Sequence, residues 1–292
     1  MKIAYLIMAH KNPEQLARLV KTLTYKNEEF FIHIDKKYDV KPFADHLNSL
    51  EDPAIHFIQD RQRVRFSGGY SQTEAVVRSL IEIFSGPCDF YRLILLSGQD
   101  YPVKSNEFIL DFFEKNRGKE FIKLFPLPAE RQARLRRLAF RLDRYCGYYF
   151  DDFFQGPFLR FLNRVSRLLP RKQFPKGHTP YFGPTYWQIT RECAEYLVKF
   201  IRNNPRFRAF FRFSLCSDEC FFHTILLNSP FAANVIHDNH FYIDWGIHFH
   251  PKVLTQEDFE KLKDPGIFFA RKFDMFTEPG MLDLVDKKLL CE

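Results

Sequence analysis

No stretch of this sequence stays apolar long enough to cross a bilayer: runs such as residues 3–9 and 93–96 end well short of the ~20 residues a spanning helix needs. Met1-Lys2-Ile3-Ala4-Tyr5-Leu6-Ile7 leads into His10, Lys11 and Asn12 with no small-residue cleavage site, which argues against a signal peptide. A cytoplasmic protein, at most peripheral on the inner membrane, is the expectation. The six cysteines fall at unrelated spacings and form no disulfide framework. Cys216 and Cys220 stand one helical turn apart, but Cys88, Cys146, Cys193 and Cys291 supply no second pair to complete a zinc site, so reduced structural thiols are expected. Tryptophan is scarce, 2 residues against 35 phenylalanines, which assigns most of the aromatic weight to the core. No Asp-x-Asp triplet occurs anywhere. Chemistry that must neutralise a diphosphate then draws its cations from side chains, not from a divalent ion held by such a triplet.

What the chain has in excess is positive charge. A net charge of +7 attracts anions, whether nucleotide diphosphate, acidic lipid headgroups, an acidic glycan or nucleic acid, and charge alone does not choose among them. With 292 residues, 46% of them hydrophobic, a large core can be buried. Short apolar strands are predicted at 3–8, 30–34, 55–58 and 90–96, alternating with helices at 13–23, 71–84 and 106–114. Further strands fall at 181–189 and 234–237, with helices at 191–201 and from Ser217 to about 227. The alternation predicts an α/β fold whose doubly wound, mostly parallel sheet carries helices on both faces. Ligands of such sheets sit at the C-terminal strand ends, where His10, Asp35 and Asp100 fall.

Five short segments carry chemistry as a set: Met8-Ala9-His10-Lys11, Ile32-His33-Ile34-Asp35-Lys36-Lys37, Leu96-Ser97-Gly98-Gln99-Asp100-Tyr101-Pro102, Ser217-Asp218-Glu219 and Phe269-Ala270-Arg271-Lys272-Phe273-Asp274. Together they resemble the core-2/I-branching N-acetylglucosaminyltransferases, a family that includes the protein O-xylosyltransferases. The resemblance covers roughly residues 1–115 and 180–275, and a bacterial member is expected. It implies a GT-A-like fold in one domain spanning 1–292, with a basic and aromatic insertion at about 129–176 and a C-terminal tail closing the nucleotide site. It also implies metal-independent transfer, with inversion, of a sugar from a UDP-sugar to a hydroxyl of a glycan or lipid-linked oligosaccharide. No cofactor and no nucleic acid are expected. UDP-GlcNAc is the first donor expected and UDP-xylose the second.

The resemblance assigns Glu219 as the base that deprotonates the acceptor. Read from the residues alone, Ser217 caps a helix and Asp218 and Glu219 in its first turn merely stabilise that start. By the resemblance, Lys272 with Arg271 takes the diphosphate charge. The family's second cation, an arginine just before Tyr-Ile-Asp-Trp, is replaced here by Phe241, which transfers weight to Lys272, Arg271 and His240. Ala9, His10, Lys11, Asp35 and Lys36 are assigned to uracil and ribose, and Gly68-Gly69 to a turn beside the nucleotide. Asp100, Gly183, Trp187 and Asp218 are placed at the sugar, with Glu130 and Arg134 toward the acceptor. An indole such as Trp187 stacks on a pyranose face or else fills the core.

His237, His240, His248 and His250 cluster in sequence without the acid or thiol that would complete a metal site. Phe158, Leu159, Phe161, Leu162, Val165, Leu168 and Leu169 alternate with Arg160, Arg164, Arg167, Arg171 and Lys172. The pattern predicts an amphipathic basic helix, packed on its own domain or lying on an anionic membrane. Two other classes compete with the transferase: a non-catalytic basic module binding nucleic acid or acidic glycan, and a metal-dependent transferase or hydrolase.

Overall fold

The computed structural model describes residues 1–50, 54–65, 68–87, 89–126, 130–246 and 250–290, with the backbone alone for 131–136, 139 and 140. In chain order the strands are β1 (Ile3–Ala9), β2 (Glu29–Ile34), β3 (Ala54–Phe57), β4 (Arg92–Ser97), β5 (Asp100–Pro102), β6 (Glu120–Ile122), β7 (Trp187–Thr190), β8 (Val235–Ile236), β9 (Phe241–Ile243) and β10 (Phe269–Arg271). The helices are α1 (Pro13–Leu23), α2 (Lys41–Leu47), α3 (Tyr70–Ile83), α4 (Asn106–Lys115), α5 (Arg131–Cys146), α6 (Gly156–Val165), α7 (Arg191–Asn203), α8 (Pro205–Phe211), α9 (Phe221–Leu227), α10 (Phe259–Leu262) and α11 (Pro279–Val285).

The main sheet has the order β3-β2-β1-β4-β7-β6-β8. β3, β2, β1 and β4 run parallel, whereas β7 is antiparallel to both neighbours. β1 shows why the expected doubly wound α/β arrangement forms. Its successive side chains point to opposite faces: Ile3, Tyr5 and Ile7 enter a core shared with α1, α2, α4 and α11, while Ala4 and Leu6 enter a second core shared with α3, α7 and α9. Both faces are covered, so the strand reads as an unbroken apolar run. Local signals fix the helix starts: Pro13 opens α1, the Ser105 hydroxyl accepts from Phe108 N–H to cap α4, and Thr190 caps α7.

A smaller sheet, β5-β10-β9, stands just beyond β4. Its antiparallel register sets Arg271 opposite Asp100.

Two expected elements are corrected. The strand expected over 181–189 is ordered as a strand only at β7, because the segment before it forms loop hydrogen bonds, Phe125 N–H to Phe182 O and Gly183 N–H to Glu219 O. The helix expected from Ser217 is broken: residues 217–219 form one 3-10 turn, and α9 begins only at Phe221. Cys216, at φ 49°, adopts the left-handed region and redirects the chain there, so Ser217 caps no backbone N–H and its hydroxyl bonds that of Thr73 at 2.6 Å instead. Among the described residues Cys146, Cys193, Cys216 and Cys220 are free thiols, and no helix is long and apolar enough to cross a membrane.

Candidate active site

A cavity of about 240 Å³ opens where β1, β2 and β4 end. Its walls include Ala9 at the end of β1 with His10 and Lys11 after it, His33 of β2 and Asp35 just beyond it, Ser97 at the end of β4 with Gly98 and Gln99, Gln72 of α3, the pair Thr185-Tyr186, and Arg271. Ala9, His10, Lys11, Asp35 and Arg271, far apart in the sequence, are thus gathered in one place. Lys36 is exposed and outside the lining; its neighbour Lys37 lines the cavity, 3.3 Å from the Asp35 carboxylate. Asp35 also accepts from the N–H groups of Lys37 (3.0 Å) and Val64 (3.4 Å), which draws the 62–65 segment over the cavity. His33 helps from below. Burial holds its imidazole down to about 4, and its Nε2 accepts from Gln62 N–H at 2.9 Å.

Cations concentrate at the mouth. Arg271 donates to Asp100 at 2.7 Å and to the Ser97 hydroxyl, with its guanidinium 5.6 Å from the centre of the Tyr186 ring. Asp100 is wholly buried and also accepts from Ser97 N–H at 2.6 Å. It therefore fixes Arg271 and does not reach the cavity, which corrects its expected place at the sugar. Lys11 ties the tail down through Asp274 at 2.6 Å, and Gln15 donates to both Gly98 O and Phe273 O at 3.1 Å. Lys272 has no ion-pair partner among the described residues. Desolvation, followed by the neighbouring Lys11 and Arg271 cations, holds its ammonium below its ordinary value. Lys11 and Arg271 line the cavity with a carboxylate holding each, and Lys272, outside the lining, adds a third positive charge close to both.

The aromatic residue at the family's arginine position has a structural job. Phe241 stacks on Tyr186 with centroids 4.4 Å apart and planes within 12°. His240 lies away from the cavity, its ring stacked on Phe268 at 4.2 Å and its Nδ1 against Gly266 O at 2.9 Å. Trp187, expected at the sugar, is fully buried beside Phe222; the adjacent Tyr186 is the aromatic residue at the cavity. Gly68 and Gly69 lie outside the lining as well. A Cβ on Gly69 would come within 2.3 Å of the Asp152 carboxylate, which accepts from Ser71 N–H at 2.7 Å, so this glycine serves a loop contact. Gly183 likewise lets backbones meet: a Cβ there would stand 1.9 Å from Lys123 O.

Next to the first cavity lies an open cleft of about 380 Å³, lined by Phe125, Arg137, Arg141, Arg144, Cys216, Glu219 and Trp245. Arg137, Arg141 and Arg144 recur at i, i+4 and i+7 of α5 and so share one face of it. The Glu219 carboxylate stands 3.7 Å from Arg144, and burial, then the neighbouring Asp218, pushes it up to about 7 against the opposing pull of Arg144 and Arg141. Glu219 therefore lies before α9, not in its first turn, and burial rather than a helix terminus governs its charge. Asp218 points the other way, accepting from Thr185 at 2.6 Å and Gln72 at 3.3 Å, two residues of the cavity wall. The pair Asp218-Glu219 thus forms the partition between cavity and cleft.

Glu130 is exposed and lines neither space. The Arg134 side chain and His248 lie outside the described residues. Among the described residues no three His, Cys, Asp or Glu side chains gather as a metal-holding group. The three arginines of α5 and Trp245 join the site only through the fold. For the arginines the sequence carries one sign of it, their i, i+4, i+7 spacing.

The sequence of the chain is similar to those of known proteins. The Core-2/I-Branching enzyme family matches residues 3–263. Xylosyltransferase 2 of Mus musculus is 28% identical over 317 residues, covering 98% of this chain and 33% of that protein. Xylosyltransferase 1 of Rattus norvegicus is 25% identical over 319 residues, covering 99% and 35%. The chain spans about a third of the length of these curated relatives. The apo crystal structure of mouse xyloside xylosyltransferase 1 aligns with a TM-score of 0.37 at 15% identity over 79% of this chain and 83% of that one, a likeness too slight to carry an argument. By the span of the family match, this chain belongs to the Core-2/I-Branching enzyme family.

Proposed function

We propose that the chain is an inverting glycosyltransferase that takes a sugar from a UDP-sugar without a divalent ion. The observation that carries this reading is the Glu219 carboxylate, poised near 7 in an arginine-lined cleft and divided by Asp218 from a cavity lined by Lys11 and Arg271, with Lys272 close enough to both to feel their charge. The acceptor oxygen attacks the anomeric carbon from the cleft side while Glu219 takes its proton. The bond from that carbon to the β-phosphate oxygen breaks, and the charge on UDP passes to Arg271, Lys272 and Lys11. One displacement turns an α-linked donor into a β-linked product. A base near the working pH is both available and strong enough for the transfer.

His10, Asp35 and Lys37 suit the nucleoside end. Arg271, fixed by Asp100, takes the part of the cation missing at Phe241. The names of the relatives favour UDP-xylose as donor, with UDP-GlcNAc, the donor of the family's branching members, as the second reading. The acceptor is a hydroxyl of a glycan or a lipid-linked oligosaccharide, and the three arginines of α5 favour one that carries negative charge.

UDP release in EDTA, read for UDP-xylose, UDP-GlcNAc and other UDP-sugars, tests this. One donor is expected to turn over without metal, and Glu219→Gln is expected to lower that rate by about a thousandfold while leaving UDP affinity unchanged. Turnover abolished by EDTA, or indifferent to Glu219→Gln, would defeat the reading.

A further inference from the structure

Helix α6 has no buried residue. Phe158, Phe161, Val165 and Leu168 follow one another at i, i+3, i+7 and i+10, and they stand 54%, 60%, 41% and 85% exposed. Beside them Arg160, Arg164 and Arg167, at i, i+4 and i+7, form a second exposed stripe along α6 and the turn after it. None of the three arginines has an ion-pair partner among the described residues. No aspartate or glutamate occurs between Asp152 and Glu192.

The helix is nonetheless firmly mounted on its inner side. Asn163 accepts from Phe150 N–H and donates to Asp151, both at 3.1 Å, and the Ser166 hydroxyl donates to Tyr148 O at 2.8 Å. Lys172 N–H bonds Cys146 O at 2.8 Å, and Arg171 pairs with Asp143, so the segment is fastened to the end of α5, the helix that lines the Glu219 cleft.

We infer that α6 and the turn after it are a docking surface for an anionic phospholipid membrane. The apolar stripe is a convex ridge. A ridge needs a groove in a protein partner, but fluid hydrocarbon conforms to it, and an interfacial helix places Phe and Leu below the headgroups with arginines reaching the phosphates beside them. A second copy is the poorer occupant, because ridge-to-ridge contact would bring two unpaired arginine stripes together. The mounting on α5 would hold the acceptor cleft close to the lipid surface. The inference stands apart from the transferase reading, since vesicle binding is measured without a sugar donor.

Co-sedimentation of the full chain with vesicles tests it. Binding is expected to vesicles of phosphatidylglycerol mixed with phosphatidylcholine, and to be at least about tenfold weaker on phosphatidylcholine alone. The exposed triple variant Arg160→Gln/Arg164→Gln/Arg167→Gln is expected to weaken binding to anionic vesicles on the order of a hundredfold and to remove most of its salt dependence. Phe158→Ser/Phe161→Ser/Leu168→Ser is expected to weaken it by at least about tenfold at low salt. Far-UV circular dichroism and a melting temperature equal to those of the wild type in both variants establish that they fold. No binding to anionic vesicles, or equal binding by wild type and both variants, would overturn the inference. So would a dimer in sedimentation velocity that the serine variant abolishes, which would assign the ridge to a second copy.

Discussion

The two halves of the site are built in opposite ways. The cation-rich cavity grows out of the ends of β1, β2 and β4, and its arginine is held by a buried aspartate across a two-strand register. The cleft beside it draws on one face of α5, a loop tryptophan that is 54% exposed, and a glutamate on a 3-10 turn. Strand ends in a doubly covered sheet cannot shift without disturbing two cores, whereas a helix on the rim can be exchanged with little cost to the rest. The difference suits the proposed division of labour, with a fixed nucleotide read on one side and an acceptor particular to this protein on the other.

The sharpest way to break that contrast is to unlock the cavity from beneath. Asp100→Asn leaves Arg271 without its buried counter-charge and is expected to lower stability by about 3 kcal/mol, the size typical of removing one member of a buried pair. UDP would replace the lost charge. Its addition is therefore expected to raise the melting temperature of Asp100→Asn more than that of the wild type. Equal shifts would mean that Arg271 does not meet the diphosphate. Lys272→Ala comes next, with UDP affinity expected to fall by about ten- to a hundredfold, the worth of a hydrogen bond to a charged group, and with little change in stability.

A third comparison uses protons. Because burial lifts Glu219 to about 7, activity is expected to rise with pH through that value as the carboxylate ionises. Stability runs the other way. Between the unfolded value of 4.5 and about 7 the folded state holds a proton that the unfolded chain has released, so this group's contribution falls as pH rises through that window. Glu219→Gln is thus expected to stabilise the protein at pH 8 by up to about 3 kcal/mol and to have little effect at pH 4. Arg144→Gln removes a cation that holds Glu219 down and is expected to move the activity profile up by a few tenths of a unit. A profile that does not move would exclude Arg144 from the electrostatics of the base.

Much of the cavity could be read in the sequence because it follows from strand ends. The apolar run of β1, the proline opening α1 and the motifs after β1 and β2 bring His10, Lys11 and Asp35 together with no knowledge of distant contacts. What could not be read depends on partners far along the chain or on single-residue phase. Asp100 has the look of a free acid at a strand end until Arg271, 171 residues later, is set across from it. Trp187 and Tyr186 differ by one position, and in a strand one position exchanges the core for the cavity. The left-handed Cys216 breaks the helix that Ser217 was expected to cap, since nothing in its side chain announces that backbone. In the sequence the arginines of α5 belong to a basic insertion without a role, and only placing that helix over Glu219 makes three of them part of the site.

Trp245 provides the smallest effect and the cleanest separation of the two halves. It lines the cleft and not the cavity, and its indole is more than half exposed, so removing it disturbs little of the fold. If the cleft receives a sugar, that indole offers a face for the ring, and Trp245→Ala is expected to raise the acceptor KM by about three- to tenfold. UDP affinity, donor KM and the pH profile should not move, because the tryptophan has no part in placing Glu219 or the cations. A variant that instead weakened UDP would place Trp245 on the nucleotide side and erase the proposed division between a strand-built donor cavity and a rim-built acceptor cleft.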